Sequence, residues 1–499
     1  LALMAHDIMV IGAGLNGLVA ANYLAKAGKR VLVLERRAMA GGQAVTEPLG
    51  SGFGVDALHA GGQLRPDIVK DLGLAMPPTS SDPLLSLLPD GQQLRLTADA
   101  DARTIESIAR LSGKDAERWP AFVQFMQDAA GFLDTAYRTP MPRLPHVSLA
   151  EGLPLAKLAL NLRRLGPRDM FRVIRALPMS ALELTEEWFE SDVVRAAVSA
   201  VAVHGATLGP MSAGSGYTLM HNWLNRGGPG HQRVEGGIGR IAEALVSALK
   251  ARGGEVRLSA DVKGIVVDDM AVRGARLASG EVIPASTIVS AADPRHTLLD
   301  LIGAPELPPH FVWEAQSIKM RGSVAKVHLL TDGNHGLPSG TLVIAPSVRH
   351  IERAYDAAKY GQMSQDPYLE ITTSGPVVSL HYQYAPYALR DQDWGQERAV
   401  LERCAVNTAA SVAPALKSSI REITSLTPLD LERTYGLTEG DLNHGQLILD
   451  QMFFMRPLPG WSNHSTPVEG LYLCGNGVHG GGGISGASGR NAARAILKR

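Results

Sequence analysis

The residues best spaced for chemistry stand near the amino terminus, Gly12-Ala13-Gly14-Leu15-Asn16-Gly17, with Glu35 some way behind them. Glycines at this spacing suit a nucleotide pyrophosphate. Gly12 permits a tight turn, Gly14 lets the backbone approach the phosphates, and Gly17 lets a following helix sit close to the strands. The helix N-terminus adds unpaired N–H groups and partial positive charge. Glu35 lies 18 residues after Gly17. There a carboxylate accepts hydrogen bonds from ribose hydroxyls and repels a 2′-phosphate.

A similar arrangement stands near the other end of the sequence. Gly475-Asn476-Gly477-Val478-His479 and the run Gly480–Gly483 lead through Ile484-Ser485-Gly486 into an Ala-rich stretch. Glycines again join a strand to a helix and aim N–H groups at an anion.

Specific elements must hold these turns. Residues 7–11 read as a buried parallel strand, 18–27 as a helix ended by Gly28, and 31–34 as a second strand that stops at Glu35. Residues 470–474 read as another buried strand and 487–498 as its helix. Strand, glycines, helix, strand and acid in register are far more specific than the glycines alone. In the middle, 239–251 reads as a helix, and 255–258, 261–267, 273–277 and 288–293 as strands. Residues 99–228 are helix-rich, while 324–330, 341–345 and 377–384 read as strands of a second sheet. The predicted class is α/β, or α+β overall. A Rossmann-type domain is expected from segments 1–98, 229–310 and 445–499. A discontinuous substrate domain of mixed sheet plus helices is expected from 99–228 and 311–444.

Composition narrows the function classes. The chain has 499 residues, too many for one ordinary core. Lys+Arg is 48 and Asp+Glu is 49, so the net charge of -1 gives no reason to expect nucleic acid. Cys404 and Cys474 form no CxxC, which excludes a disulfide framework and disfavours a dithiol relay. The first residues do not read as a secretory signal, and no apolar run is long enough to span a bilayer. A cytoplasmic location is therefore expected. The stretch 155–181 mixes apolar positions with Lys157, Arg163, Arg164, Arg168, Arg172 and Arg175. It reads either as an amphipathic surface for anionic lipid or as a solvated basic face, so peripheral membrane contact stays open. Oligomeric state is not legible.

After Glu35 the chain continues Arg36-Arg37-Ala-Met-Ala-Gly41-Gly42. With the preceding fingerprint, this resembles the amine oxidase and phytoene desaturase superfamily of flavoproteins. The run 470–495 is similar to the pyridine nucleotide-disulphide oxidoreductase domain-containing subgroup. The resemblance implies FAD. It sets Gly12, Ala13, Gly14, Leu15, Asn16, Gly17, Glu35, Arg36, Gly41 and Gly42 along the dinucleotide. It sets Val262 at the adenine, Gly475 and Asn476 at the phosphate–ribityl part, and the backbone N–H groups of Ile484 and Ser485 at the flavin ring. A plain hairpin valine is the other reading of Val262. Neither cysteine matches a place of covalent attachment, so the FAD is expected to be non-covalent. Gln43 stands where many relatives carry Arg, and Gly480 where they carry Pro. No second fingerprint has the strand and acid that NAD recognition needs. Neither an NAD(P) site nor a metal site is expected, and oxygen or a quinone is the expected electron acceptor.

The same resemblance ranks the catalytic candidates. Gly322-Ser-Val-Ala-Lys326 resembles the amine-oxidase segment G-S-V-x-K, whose lysine holds a water beside flavin N5. The competing reading of Lys326 is an edge-strand lysine facing solvent. His479, in the flavin segment, is placed to act as acid or base near neutral pH, and His59 follows the glycine pair. A structural role competes for both. Tyr217 and His221 are weaker candidates for lining a tunnel. The function implied first is an FAD-dependent desaturase or dehydrogenase. It would move hydride from an apolar, terpenoid- or lipid-like molecule to flavin N5. An amine oxidase, a double-bond isomerase or saturase, and a non-catalytic flavin-stabilised scaffold stay open. Aromatic residues make up only 5% of the chain, so the aromatic pair that cages an amine is not obvious.

Overall fold

The computed structural model describes residues 6–88, 91–142 and 149–498. Its first sheet has five parallel strands, in the order 471–473, 288–290, 8–11, 31–34, 255–257. Every residue of Ile8–Ile11 and Val31–Leu34 is buried, as a parallel strand covered on both faces requires. Side chains alternate between two cores. Ile8, Val10, Val31 and Val33 face the helices Leu15–Lys26, Gly239–Ala251 and Ala487–Leu497. Met9, Ile11, Leu32 and Leu34 face an antiparallel meander of Val262–Asp268, Ala271–Leu277 and Val282–Pro284. The expected Rossmann-like layer is therefore present.

The second sheet is mixed and has seven strands, in the order 420–426, 324–331, 377–383, 369–374, 341–344, 84–87, 93–96. One face packs against helices of the 102–226 region, with Trp119, Phe122 and Phe189 at its centre. The other packs against Trp394–Val412. Strands Leu84–Leu87 and Gln93–Leu96 join this sheet, the former pairing in parallel with Thr341–Val343. The expectation that residues 1–98 serve the nucleotide layer alone is thus corrected. An apolar run such as Leu84-Leu85-Ser86-Leu87 shows that a strand is buried, but its partner is fixed by contacts remote in sequence.

The basic stretch forms two helices, Leu149–Arg164 and Gly166–Ala176. The break falls at Gly166, whose φ of 84° is left-handed and stops the first helix. Among the described residues, no helix is long and apolar enough to cross a membrane.

Candidate active site

A groove runs along the carboxyl ends of the parallel strands, the place where doubly wound sheets bind ligands. Its walls include Gly12, Gly14, Leu15, Asn16, Glu35, Arg36, Gly41, Gly42, Val262, Gly475, Asn476 and Ile484. Ala13, Gly17 and Ser485 do not line it. A Cβ on Gly17 would lie 2.3 Å from the Gly12 carbonyl oxygen, so its bareness lets the helix approach the turn. The Ser485 carbonyl accepts the Arg65 N–H, and its hydroxyl accepts the Ala487 N–H.

Glu35 is anchored on two sides. One carboxylate oxygen accepts the Ala13 N–H at 2.8 Å and the other the Arg37 N–H at 2.9 Å. Each oxygen keeps a lone pair for the groove. Gly42 has a φ of 60° and comes so close to Gly14 that a Cβ would sit 2.9 Å from the Gly14 Cα. The two remote glycine turns are tied together. The Asn16 side chain donates to Asn476 Oδ1 at 2.7 Å, and a Cβ on Gly489 would meet the Asn16 carbonyl at 2.1 Å. Bare backbone at the first turn, a carboxylate at the end of the second strand and a second glycine turn together fit a dinucleotide. Sequence reading missed Arg37, Tyr435, Leu437 and His444, which also line the groove. Arg37 stands within the segment 36–42 but has no assigned role there. Tyr435, at the end of the helix Pro428–Tyr435, and Leu437 and His444, from the loops after it, belong to no motif.

The catalytic candidates part company here. His479 is buried outside the groove. Its Nε2–H donates to the Ala136 and Thr139 carbonyls, and burial lowers its pKa to about 4. The ring pins the glycine turn to the end of the helix Gly113–Arg138. His59 is bonded through Nε2 to Gln43 Oε1 at 2.8 Å, and Gln43 is a groove wall. Burial and the nearby Lys326 charge lower the His59 pKa to about 3, so the ring is neutral. His221 bonds the Tyr137 hydroxyl at 2.7 Å, and Tyr137 in turn bonds Tyr217. The glycine turn presses on this network, since a Cβ on Gly482 would lie 2.6 Å from the His221 ring.

Lys326 is 2% exposed on an interior strand, flanked by 377–383 and 420–426, so it is not an edge lysine facing solvent. Burial lowers its ammonium to about 8, while Glu370 and Asp56 hold it up. It remains mostly charged at neutral pH. Lys326, His381 and Glu370 are in register across three neighbouring strands. The His204 ring stacks on His381 at 4.3 Å between centroids. Glu370 Oε2 accepts Arg226 at 2.9 Å, and Oε1 is bonded to His231 Nε2 at 2.6 Å. Burial opposes the Glu370 charge, yet Arg226 and the two histidines keep its pKa well below the usual range. No motif points to Arg226, His204, His231, Glu370 or His381. The one available signal is a carboxylate inside the apolar run Tyr368-Leu-Glu370-Ile.

His204, His231 and Glu370 bring three ligand-type atoms within 4.8 Å of one another. The surroundings disfavour a divalent cation. Arg226 already occupies one Glu370 oxygen, and Lys326 places a second positive charge close by. The group reads as a hydrogen-bonded charge cluster.

Comparison with known proteins agrees with this architecture. A family model described as flavin containing amine oxidoreductase matches residues 15–405. The chain is 33% identical to the rat "Pyridine nucleotide-disulfide oxidoreductase domain-containing protein 2", over 99% of this chain and 93% of that one. It is 27% identical to a limonene dehydrogenase polypeptide of Castellaniella defragrans, over 99% and 94% of the two chains. It is 25% identical to the neurosporene-forming phytoene desaturase of Rhodobacter capsulatus, over 95% and 90%. An oxidoreductase from Methanosarcina mazei shares the fold, with a TM-score of 0.60 at 15% identity, over 99% of this chain and all of that one.

Proposed function

Because the chain belongs to the flavin-containing amine oxidoreductase family, we propose that it is an FAD-dependent dehydrogenase or desaturase of an apolar, terpenoid- or lipid-like molecule. The observation that carries the FAD part of this reading is the groove, continuous from Glu35 to Ile484 and closed by the Asn16–Asn476 bond. The FAD would lie in it non-covalently. Neither Cys404 nor Cys474 is among its walls, and burial pushes the Cys474 thiol far above its ordinary pKa. When bound, FAD supplies a ring nitrogen that accepts hydride.

The protein's own residues do the rest. Gly12, Gly14, Gly41 and Gly42 let the backbone meet the pyrophosphate, and Glu35 takes the ribose hydroxyls. Gly475 and Asn476 hold the phosphate–ribityl part, and Ile484 packs at the ring. Gln43 positions His59. Lys326, buried but not itself a groove wall, supplies a positive charge near His59 that would orient a water. The relatives named for limonene and phytoene favour an apolar substrate. The expected acceptor is oxygen or a quinone.

The test is anaerobic mixing of purified, flavin-loaded protein with limonene, phytoene or cyclohexylamine, followed by the flavin absorption band. Bleaching by a terpenoid supports the reading. Bleaching by the amine alone, with cyclohexanone and ammonia formed, moves the chain to the amine oxidases. No bleaching by any of them, with full flavin content, favours an isomerase or a scaffold. Flavin that stays with acid-precipitated protein would show a covalent link.

A further inference from the structure

We propose that the helices Leu149–Arg164 and Gly166–Ala176 form a docking surface for an anionic phospholipid bilayer. The inference does not depend on the flavin reading. It rests on what these helices leave uncovered.

On an α-helix, residues 153, 157, 160 and 164 fall within an arc of about 60°. Here they are Leu153, Lys157, Leu160 and Arg164, all exposed. On the second helix, Arg168, Phe171, Ile174 and Arg175 share an arc of about 120° and are also exposed. Leu153 is 63% exposed and Phe171 65%. Large apolar and basic side chains thus alternate on the outward face of each helix. The opposite side is anchored, with Val173 and Ala176 buried in the helical core and Leu162 and Leu165 packed on it.

Charge identifies the partner. Residues 149–176 hold six basic residues against Glu151 and Asp169, a local excess of four positive charges in a chain of net -1. Arg172 pairs with Asp169, and Arg175 with Glu187. Lys157, Arg163 and Arg168 have no ion pair among the described residues. A helix that lies in a membrane interface needs both features: apolar side chains that enter the acyl boundary, and cations beside them that meet anionic headgroups. A second copy of the chain fits poorly, because a two-fold contact would set this basic surface against itself. The first helix has 16 residues, too short to span a bilayer, so the surface lies on the membrane rather than crossing it.

The test is flotation of the full chain with vesicles of phosphatidylcholine alone or mixed with phosphatidylglycerol, at low and high salt. Phe171→Glu with Leu160→Glu removes the apolar half, and Arg163→Glu with Arg164→Glu reverses part of the charge. All four side chains are exposed, and unchanged circular dichroism and melting show that each variant is folded. The expected result is binding to the anionic vesicles only, weakened by salt, and reduced roughly tenfold or more by either pair. Absence of binding at low salt overturns the proposal, and so does binding that neither pair reduces. A wild-type dimer in solution that Phe171→Glu splits would assign the surface to self-association instead.

Discussion

The nucleotide groove and the charge cluster on the second sheet are built in opposite ways. The groove is walled largely by backbone: Gly12, Gly14, Gly41, Gly42 and Gly475 line it, and Glu35, Asp261 and Asp300 are its carboxylates. The cluster is made of side chains. Lys326, Glu370 and Arg226 are each no more than 5% exposed, and neutral histidines pack around them. A backbone site is cheap to fold and depends on close approach. A buried charge site depends on every partner being present, because an unpaired buried charge costs far more than a missing contact.

Acid should expose that dependence most strongly. Nine histidines have lowered pKa values, chiefly through burial: His59, His204, His221, His231, His328, His381, His444, His464 and His479. An unfolded histidine takes up its proton near pH ~6.5. Below that, the unfolded chain binds more protons than the folded one, so stability falls as pH falls. Each such group contributes at most ~1.4 kcal/mol per pH unit. The Tm should change little between about pH 7 and 8 and drop steeply below about 6. A Tm that holds down to about pH 4.5 would mean that these rings are not buried neutral.

Next in size is the loss of Glu370. Glu370→Ala leaves Arg226 buried without its partner and should cost ~3–5 kcal/mol. In the double variant Arg226→Met, Glu370→Leu, most of that loss should return, because apolar groups of similar volume replace the pair. Denaturant melts of the single and double variants make the comparison. If the double variant is no better than the single one, the pair has some role besides mutual neutralisation.

The contrast also explains what can be read in advance. The fingerprint Gly12 to Glu35 lies within one βαβ unit, so its spacing encodes its geometry locally. The turn after Cys474 is encoded in the same way. The cluster draws on residues 204, 226, 231, 326, 370 and 381. Lys326, His381 and Glu370 meet only because the strands 324–331, 377–383 and 369–374 pair in one register. His204 and Arg226 arrive from the ends of the helices Asp192–Val203 and Ser215–Arg226, and His231 from the loop after them. Nothing in a local pattern states that register. Strands 84–87 and 93–96 belong to a different layer from the one expected for the same reason: burial is visible in sequence, partnership is not. His479 stands out by its motif, but its ring turns away from the groove toward the carbonyls of Ala136 and Thr139.

Gly42→Ala probes the backbone side of the comparison. The residue has a φ of 60°, and the added Cβ would sit 2.9 Å from the Gly14 Cα. Left-handed strain costs ~1–3 kcal/mol in the fold. Because the turn is also a groove wall, FAD affinity should fall roughly tenfold to a hundredfold, about 1.4–2.7 kcal/mol. Titration of the deflavinated protein with FAD and a melt of the same sample separate the two effects. An equal loss of stability with unchanged affinity would place the cofactor away from Gly42.

Glu35→Gln should give the smallest change and test the groove most directly. The carboxylate now accepts N–H groups from Ala13 on one oxygen and Arg37 on the other. An amide keeps one acceptor and turns the other position into a donor, which then faces an N–H. One charge-assisted bond is lost, and the remaining oxygen offers the ribose a weaker, uncharged acceptor. Hydrogen bonds to charged groups are worth ~1.5–3 kcal/mol, and part of that loss falls on the fold rather than on the ligand. FAD affinity should therefore fall by roughly tenfold, with a Tm only a few degrees lower. FMN supplies the control, since it carries the ring and ribityl phosphate but lacks the adenosine. If Glu35 holds the ribose, its substitution leaves FMN binding unchanged, whereas Gly42→Ala weakens FAD through the turn that both share with the phosphates. Equal loss for FAD and FMN on Glu35→Gln would show instead that the carboxylate acts by bracing the Ala13 turn.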